Sequence, residues 1–345
     1  MSVRRYQPTD EVKINQLFEK VFKQKRTLKH WNWKFHNQPN GHTPWILVYE
    51  EGEEILGHIS LWVQNAFIHG ERKKIGLRID TMVDPDARGK GIYRKLNETL
   101  ISEASKENID FLYGFPAPKA KDLFIKYTGA SHMIDIPRYV KIIRPVSVLS
   151  KRLPFISIFK SIDDFMSKVR RRKQTLNESA NIEVKEVTKC GEEFDKLAEN
   201  TKYLSTVSLI RDSSFLNWRF LQHPEKEYRV FGIYMKDELT GYYVINKTIH
   251  SSTGIKSGMI VDYLYNGEEL IGDTLVKHLL QTLHDVDVVQ TWALPESKIV
   301  SLLRKNGFIH KDSPMPLVGV EIEPNVVDLR NHEKWYVTPG DVDSF

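Results

Sequence analysis

The feature that most constrains this chain is an internal repeat. Residues 31–39 read Trp-Asn-Trp-Lys-Phe-His-Asn-Gln-Pro, and residues 216–224 read Leu-Asn-Trp-Arg-Phe-Leu-Gln-His-Pro, at an offset of 185. Asn, Trp, Phe and Pro are identical, and Lys34 becomes Arg219. On the same offset Tyr49 falls on Tyr234, and Gly57 meets Gly241 after a one-residue gap. Further along, Ile79-Asp80 resembles Val261-Asp262, residues 111–116 resemble 289–295, and Gly129 corresponds to Gly307. Agreement in one order along the chain marks a duplication, each copy being about the size of one domain. The expected division is 1–145 and 181–345, with a connecting segment at 146–180.

Within the first copy, residues 9–25 carry Val12, Leu17, Phe18, Val21 and Phe22 at roughly helical spacing, with Asp10 and Glu11 in the first turn. Strand–turn–strand patterns follow at 45–63 and around His69-Gly70-Glu71, and a return strand covers 74–83. A helix to about Lys106, a buried strand at 110–115 and a short helix at 120–127 complete the copy.

The return strand leads into Val-Asp-Pro-Asp-Ala-Arg-Gly-Lys-Gly-Ile-Tyr-Arg-Lys-Leu at 83–96, in which Ile92, Leu96 and Leu100 mark one helical face. A glycine turn from strand to helix aims unpaired backbone N–H groups and a positive helix end at an anion. Gly89 and Gly91 keep side chains away, while Arg88 and Lys90 add charge. The expected ligand is a phosphate or pyrophosphate. The run is not a P-loop, and Arg94 stands where a dinucleotide fingerprint needs its third glycine.

The whole pattern, Val-x-Pro-x-x-Arg-Gly-x-Gly-Ile with Asp80 three residues upstream, resembles the acetyl-CoA signature of the GNAT acyltransferase superfamily. Arg88 and Gly91 match that signature, and Tyr93 stands where Gly or Ala is commonest. The order of elements is also that of a GNAT domain. The resemblance implies an α/β (α+β) fold of two tandem GNAT-like domains, each a mixed, mostly antiparallel sheet flanked by helices. It implies acetyl-CoA as acyl donor, with its pyrophosphate on Arg88, Gly89, Lys90, Gly91, Ile92 and Tyr93. The Met82 or Val83 N–H would polarise the thioester carbonyl. Asp80 is the candidate base, although Asp262 occupies the same place in the other copy, which leaves a structural role open. The tyrosine that often serves the family as general acid is missing: counting back from the glycines gives Ile125 and Leu303. Tyr127 and Tyr113 are the nearest substitutes.

In the second copy the cradle is replaced by Asn266-Gly267-Glu268-Glu269-Leu270-Ile271-Gly272. Two carboxylates there would repel a pyrophosphate, so one CoA per chain is expected, with the second copy as support. The expected reaction is N-acetylation of a small-molecule amine, with an amino sugar as first guess. Two alternatives are a Fem-type transferase using aminoacyl-tRNA and a non-catalytic acyl-CoA-binding protein.

Composition narrows the partners. A net charge of +5 suits an anionic ligand but is too small for a dedicated nucleic-acid binder. The single cysteine, Cys190, forbids an internal disulfide and, with no apolar leader, points to the cytoplasm. The 12 histidines form no His-Glu-x-x-His or Cys/His cluster, so no metal is expected. Between the copies Phe155, Ile158, Phe159, Ile162, Phe165, Met166 and Val169 form an apolar stripe that ends in a basic run at 170–173. This is expected to be a connecting helix, with membrane-surface contact as the lesser reading.

Overall fold

A computed structural model describes residues 2–39, 43–150, 155, 161, 163, 182–323 and 328–344. The connecting amphipathic helix therefore lies outside the described residues, apart from three positions. Among the described residues no helix is long and apolar enough to cross a membrane.

In chain order the first copy gives β1 (Ser2–Arg5), α1 (Asp10–Phe22), α2 (Leu28–Trp31) and a π-helical turn (Asn32–His36). The strands β2 (Trp45–Glu51), β3 (Glu54–Ile68) and β4 (Glu71–Val83) follow. Then come α3 (Ile92–Lys106), β5 (Phe111–Gly114), α4 (Pro118–Thr128), β6 (Ser131–Ile142) and α5 (Pro145–Ser150). The second copy repeats the series as β7 (Ile182–Val187), α6 (Glu192–Asn200), β8 (Val207–Leu209), α7 (Ser213–Leu216) and a π-helical turn (Asn217–Leu221). It continues with β9 (Arg229–Met235), β10 (Glu238–Ile249), β11 (Lys256–Tyr265), α8 (Glu269–Thr282), β12 (Val288–Trp292), α9 (Lys298–Lys305), β13 (Ile309–Glu321) and β14 (Trp335–Tyr336). The repeated Asn-Trp-Lys/Arg-Phe motif is thus a π-helical turn in both copies. Its tryptophans Trp33 and Trp218 are both buried, as core plugs.

Two compact units form, and neither is a single stretch of chain. One comprises Met1–Asp135, Ser205–Ile210 and Met315–Trp335; the other comprises Ile136–Leu204, Arg211–Pro314 and Tyr336–Phe345. The first unit's sheet runs β1-β2-β3-β4-β5-β13, with β4–β5 its parallel pair. The second unit's sheet runs β7-β9-β10-β11-β12-β6, with β11–β12 parallel. Each sheet therefore takes its last strand from the other copy's sequence.

Local chemistry explains the turns. The β3–β4 hairpin closes through His69 and Gly70 at φ 53 and 77, and β9–β10 through Lys236 and Asp237 at φ 52 and 66. Two successive left-handed residues match the natural twist of paired strands. Helix α1 stops at Phe22, short of residue 25, because Lys23 turns left-handed. Helix α3 buries Ile92, Leu96, Leu100 and Ala104 against Leu47, Leu61, Leu112 and Phe124. Each large apolar side chain so buried contributes roughly 1.5–3 kcal/mol. On the opposite side α1 packs on β3 and β4, burying Ile14 and Leu17.

Candidate active site

The site in the first unit starts from an irregularity in β4. Gly57 and His58 pair with Val83 and Met82, but Ser60 pairs with Ile79, so Asp80 and Thr81 bulge out of register. Asp80 sits at φ 47, a left-handed conformation that few non-glycine residues adopt. His58 holds the bulge: its Nδ1–H donates to the Asp80 carbonyl at 2.7 Å. That bond leaves Nε2 with its lone pair, fully buried and without a hydrogen-bond partner among the described residues. Burial pushes the His58 imidazole down to about 4, so it is neutral at pH 7.

On the far side of β4 the parallel ladder with β5 ends at Leu77 and Tyr113. Beyond that point the strands share no described pair, and the main-chain groups of Met82 and Val83 have no ladder with β5. An extended ligand can add itself to such an edge. Met82 is buried, and Val83 is half-buried at the mouth.

The strand then runs into the cradle. Asp84 accepts the N–H of Asp86 at 2.9 Å, starting a short 3₁₀ turn, Pro85–Ala87. Lys20 bridges Asp84 and Asp86 from α1. Gly89 and Gly91 have φ 86 and 77, and a Cβ on either would meet nothing within 4 Å. Glycine is required here by backbone conformation, and the space above it stays open. Gly91 caps α3 with no side-chain hydrogen bond, so first-turn N–H groups remain available. Arg88 and Lys90 are exposed and form no ion pair among the described residues. Open N–H donors at a positive helix end, flanked by two free cations, fit a pyrophosphate.

The candidate base is differently placed. Asp80 is buried between Arg26, 2.5 Å from one carboxylate oxygen, and Lys34, 3.0 Å from the other. Burial alone would raise its pKa, but the Lys34 and Arg26 cations outweigh it and hold Asp80 well below the usual carboxylate range. A carboxylate held in this way is a weak proton acceptor.

A second group lies on the α3 side of β4. The buried Arg78 donates from Nη2 to the Tyr93 hydroxyl at 2.8 Å, and its guanidinium lies 4.2 Å from the Phe124 ring centre. Tyr127, half-buried on α4, packs its ring 5.7 Å from that of Tyr93. Tyr113 is occupied elsewhere, donating to Gln64 in the core. Of the residues named from sequence, β4 and the cradle bring Asp80, Met82, Val83 and Arg88 to Tyr93 into one continuous run. Tyr127 joins through Tyr93. Sequence reading missed Arg26, His58 and Arg78. Arg26 carried a usable signal, since Arg211 stands at the offset of 185 that aligns the tryptophan motifs.

In the second unit the corresponding turn is closed on itself. Asn266 donates to the Glu268 carboxylate and accepts the Glu268 N–H, and Glu268 is the residue before α8.

Residues 2–121 match the family model described as Acetyltransferase (GNAT) domain. Solved structures extend the likeness to nearly the whole chain. A GCN5-related N-acetyltransferase from Anabaena variabilis superposes with a TM-score of 0.68 at 12% identity, covering 93% of this chain and 73% of that one. A conserved Enterococcus faecalis protein of unknown function, described as a probable N-acyltransferase, gives 0.65 at 12%, covering 93% and 72%. Eis1 from Mycobacterium abscessus gives 0.60 at 14%, covering 93% and 74%. At these identities the likeness establishes the fold. No curated protein matches the chain.

Proposed function

We propose, from the match of residues 2–121 to the GNAT acetyltransferase domain model, that this chain is an acyltransferase that moves an acetyl group from acetyl-CoA to an amine of a small molecule. The observation that carries the donor is the cradle: left-handed Gly89 and Gly91, free Arg88 and Lys90, and the open first turn of α3. In this reading the pyrophosphate rests on the N–H groups of 89–93, and the pantetheine arm runs along the free edge of β4. The Met82 or Val83 N–H then polarises the thioester carbonyl. Asp80 is read as the ionic anchor of the bulge. The two copies are read as 1–145 and 181–345, with their last strands exchanged. An amino sugar is the first acceptor to screen.

Titration calorimetry with acetyl-CoA and with free CoA tests the reading. It expects one site per chain. Two sites would refute the closed second turn, and no binding at millimolar ligand would sink the cradle and favour a tRNA-dependent transferase.

A further inference from the structure

Arg78 is a buried cation without an anion. Among the described residues no carboxylate lies within ion-pair distance, its Nε has no acceptor, and Tyr93 takes the Nη2 hydrogen bond. Because Nη2 donates to the Tyr93 oxygen, the hydroxyl hydrogen of Tyr93 is directed elsewhere. Such a charge is costly to bury, and guanidinium cannot shed it.

The fold does not require this charge. Counting from the shared Asp80/Asp262, Arg78 corresponds to Ile260, a plain core residue of the second unit. The buried faces Ile92-Leu96-Leu100 and Ile271-Leu275-Leu279 align α3 with α8, placing Tyr93 opposite Gly272. The copy that lacks the cradle therefore lacks both members of the pair. Cation, phenol and cradle occur together.

Their position says what the pair meets. Arg78 follows the last β4–β5 pair, and across from it β5 offers Gly114, which has no side chain. Tyr93 reaches back toward Arg78 from the first turn of α3. A donor arm passing from the cradle along β4 must run beside both. The pyrophosphate is held some ten residues further on, by Arg88 and its neighbours. The one part of the donor that becomes anionic near Arg78 is the sulfur.

We propose that Arg78 and Tyr93 receive the sulfur of CoA as it leaves, Arg78 stabilising the thiolate and Tyr93 protonating it. This rests on the acyl-CoA reading above. The amine nitrogen bonds to the thioester carbon, and collapse of the tetrahedral intermediate breaks the C–S bond, with its electron pair going to sulfur. The Tyr93 O–H proton passes to that sulfur, the proton lost by the amine goes to solvent, and water reprotonates Tyr93. The products are the amide and CoA thiol, with no further reactant. The pair thus takes over from the tyrosine missing at Ile125, and Tyr127 positions Tyr93 by packing on its ring.

The test is spectroscopic and needs no acceptor. The thiolate ultraviolet band of CoA bound to the full chain is titrated with pH, using the acetyl-CoA complex as background. A nearby unpaired cation should raise the thiolate fraction of bound CoA at pH 7 by about tenfold or more over free CoA. In the CoA-bound state Tyr93→Phe should lose part of that rise, and Arg78→Met should lose it entirely. A bound thiol that titrates like free CoA would overturn the proposal in the wild-type chain alone, whether or not Arg78→Met folds. A Tyr93→Phe titration identical to wild type would remove Tyr93 from it. Calorimetry on the same samples separates the layers. Failure of the wild-type chain to bind CoA overturns the acyl-CoA reading as well, whereas wild-type binding with an unshifted thiol overturns only this step.

Discussion

Each unit buries the same ionic pair at the same place in its sheet, and each completes it differently. Arg26 meets Asp80 in the first, and Arg211 meets Asp262 in the second. In the second unit the chain's own tail closes the group. Asp341 binds Arg211 at 2.7 Å, Thr338 donates to Asp262, and the Arg219 guanidinium donates to the Gly340 and Val342 carbonyls. Tyr242, at the place of His58, donates to the Asp262 carboxylate at 2.7 Å. In the first unit Arg26 Nη1 and His58 Nε2 are buried with no hydrogen-bond partner among the described residues. The second unit ties its cluster to the 338–342 segment, while the first sets its pair beside a bulged strand with Lys34 as the second cation. Two units of like element order can thus use the same buried ion pair in different surroundings.

Removing the central cations should break the comparison most sharply. Arg211→Met strands Asp262 and Asp341 together without their cation, and should cost about 3–5 kcal/mol in urea unfolding. Arg26→Met leaves Asp80 with Lys34 and should cost clearly less. Equal losses would mean that the clusters are not completed differently. Next, Gly91→Glu should weaken CoA binding by roughly 100-fold or more in calorimetry, through a left-handed strain and a carboxylate beside the pyrophosphate. Unfolding should stay cooperative, and unchanged affinity would remove the cradle.

Acid should act through the first unit. His58 is held near 4 when folded and its ordinary value is 6.5, so the unfolded chain binds more protons between those values. Its contribution is present above pH 6.5 and is lost as pH falls toward 4. The loss should be about 2 kcal/mol between pH 7 and 5. His58→Gln should flatten that slope in urea midpoints measured across this range, and a slope unchanged in the variant would place the acid sensitivity elsewhere. Tyr242 stays neutral throughout, burial raising its pKa well above the ordinary value. The smallest effect concerns the left-handed glycines that follow α4 and α9. Gly129→Ala and Gly307→Ala force φ 73 and 81 on an alanine, and should each cost about 1–2 kcal/mol. A cost at Gly129 alone would show that the left-handed turn after α9 tolerates a side chain.

The legible parts of this chain were local or periodic. The apolar spacing of Ile92, Leu96 and Leu100, the Gly-Lys-Gly turn and the recurrence of Asn-Trp-Lys/Arg-Phe each specify geometry within a few residues. Hence α3 and the left-handed glycine turn that opens it could be read in advance. The burial of Lys34 and Arg219 ran against composition, since long cations are rarely buried unless paired. Their partners lie far away in sequence, Lys34 on Asp80 and Arg219 on the 340–342 segment. Asp80 looked like a base because of its place on β4. Its two cations come from the α1–α2 loop and the π-helical turn, and nothing in their spacing announces the meeting.

What the sequence by itself determined is the set of elements, the repeat and the chemistry of the β4–α3 turn. All of these follow from backbone preference and side-chain periodicity over short distances. Tertiary structure decided which sheet each last strand joins, β6 beside β12 and β13 beside β5. It also decided that Arg78 is buried against Tyr93, and that a tail completes one ionic cluster and not the other. Those outcomes depend on which surfaces remain to be covered once the sheets have formed. Burial and charge pairing act on neighbours in space, and the order of residues along the chain does not name them.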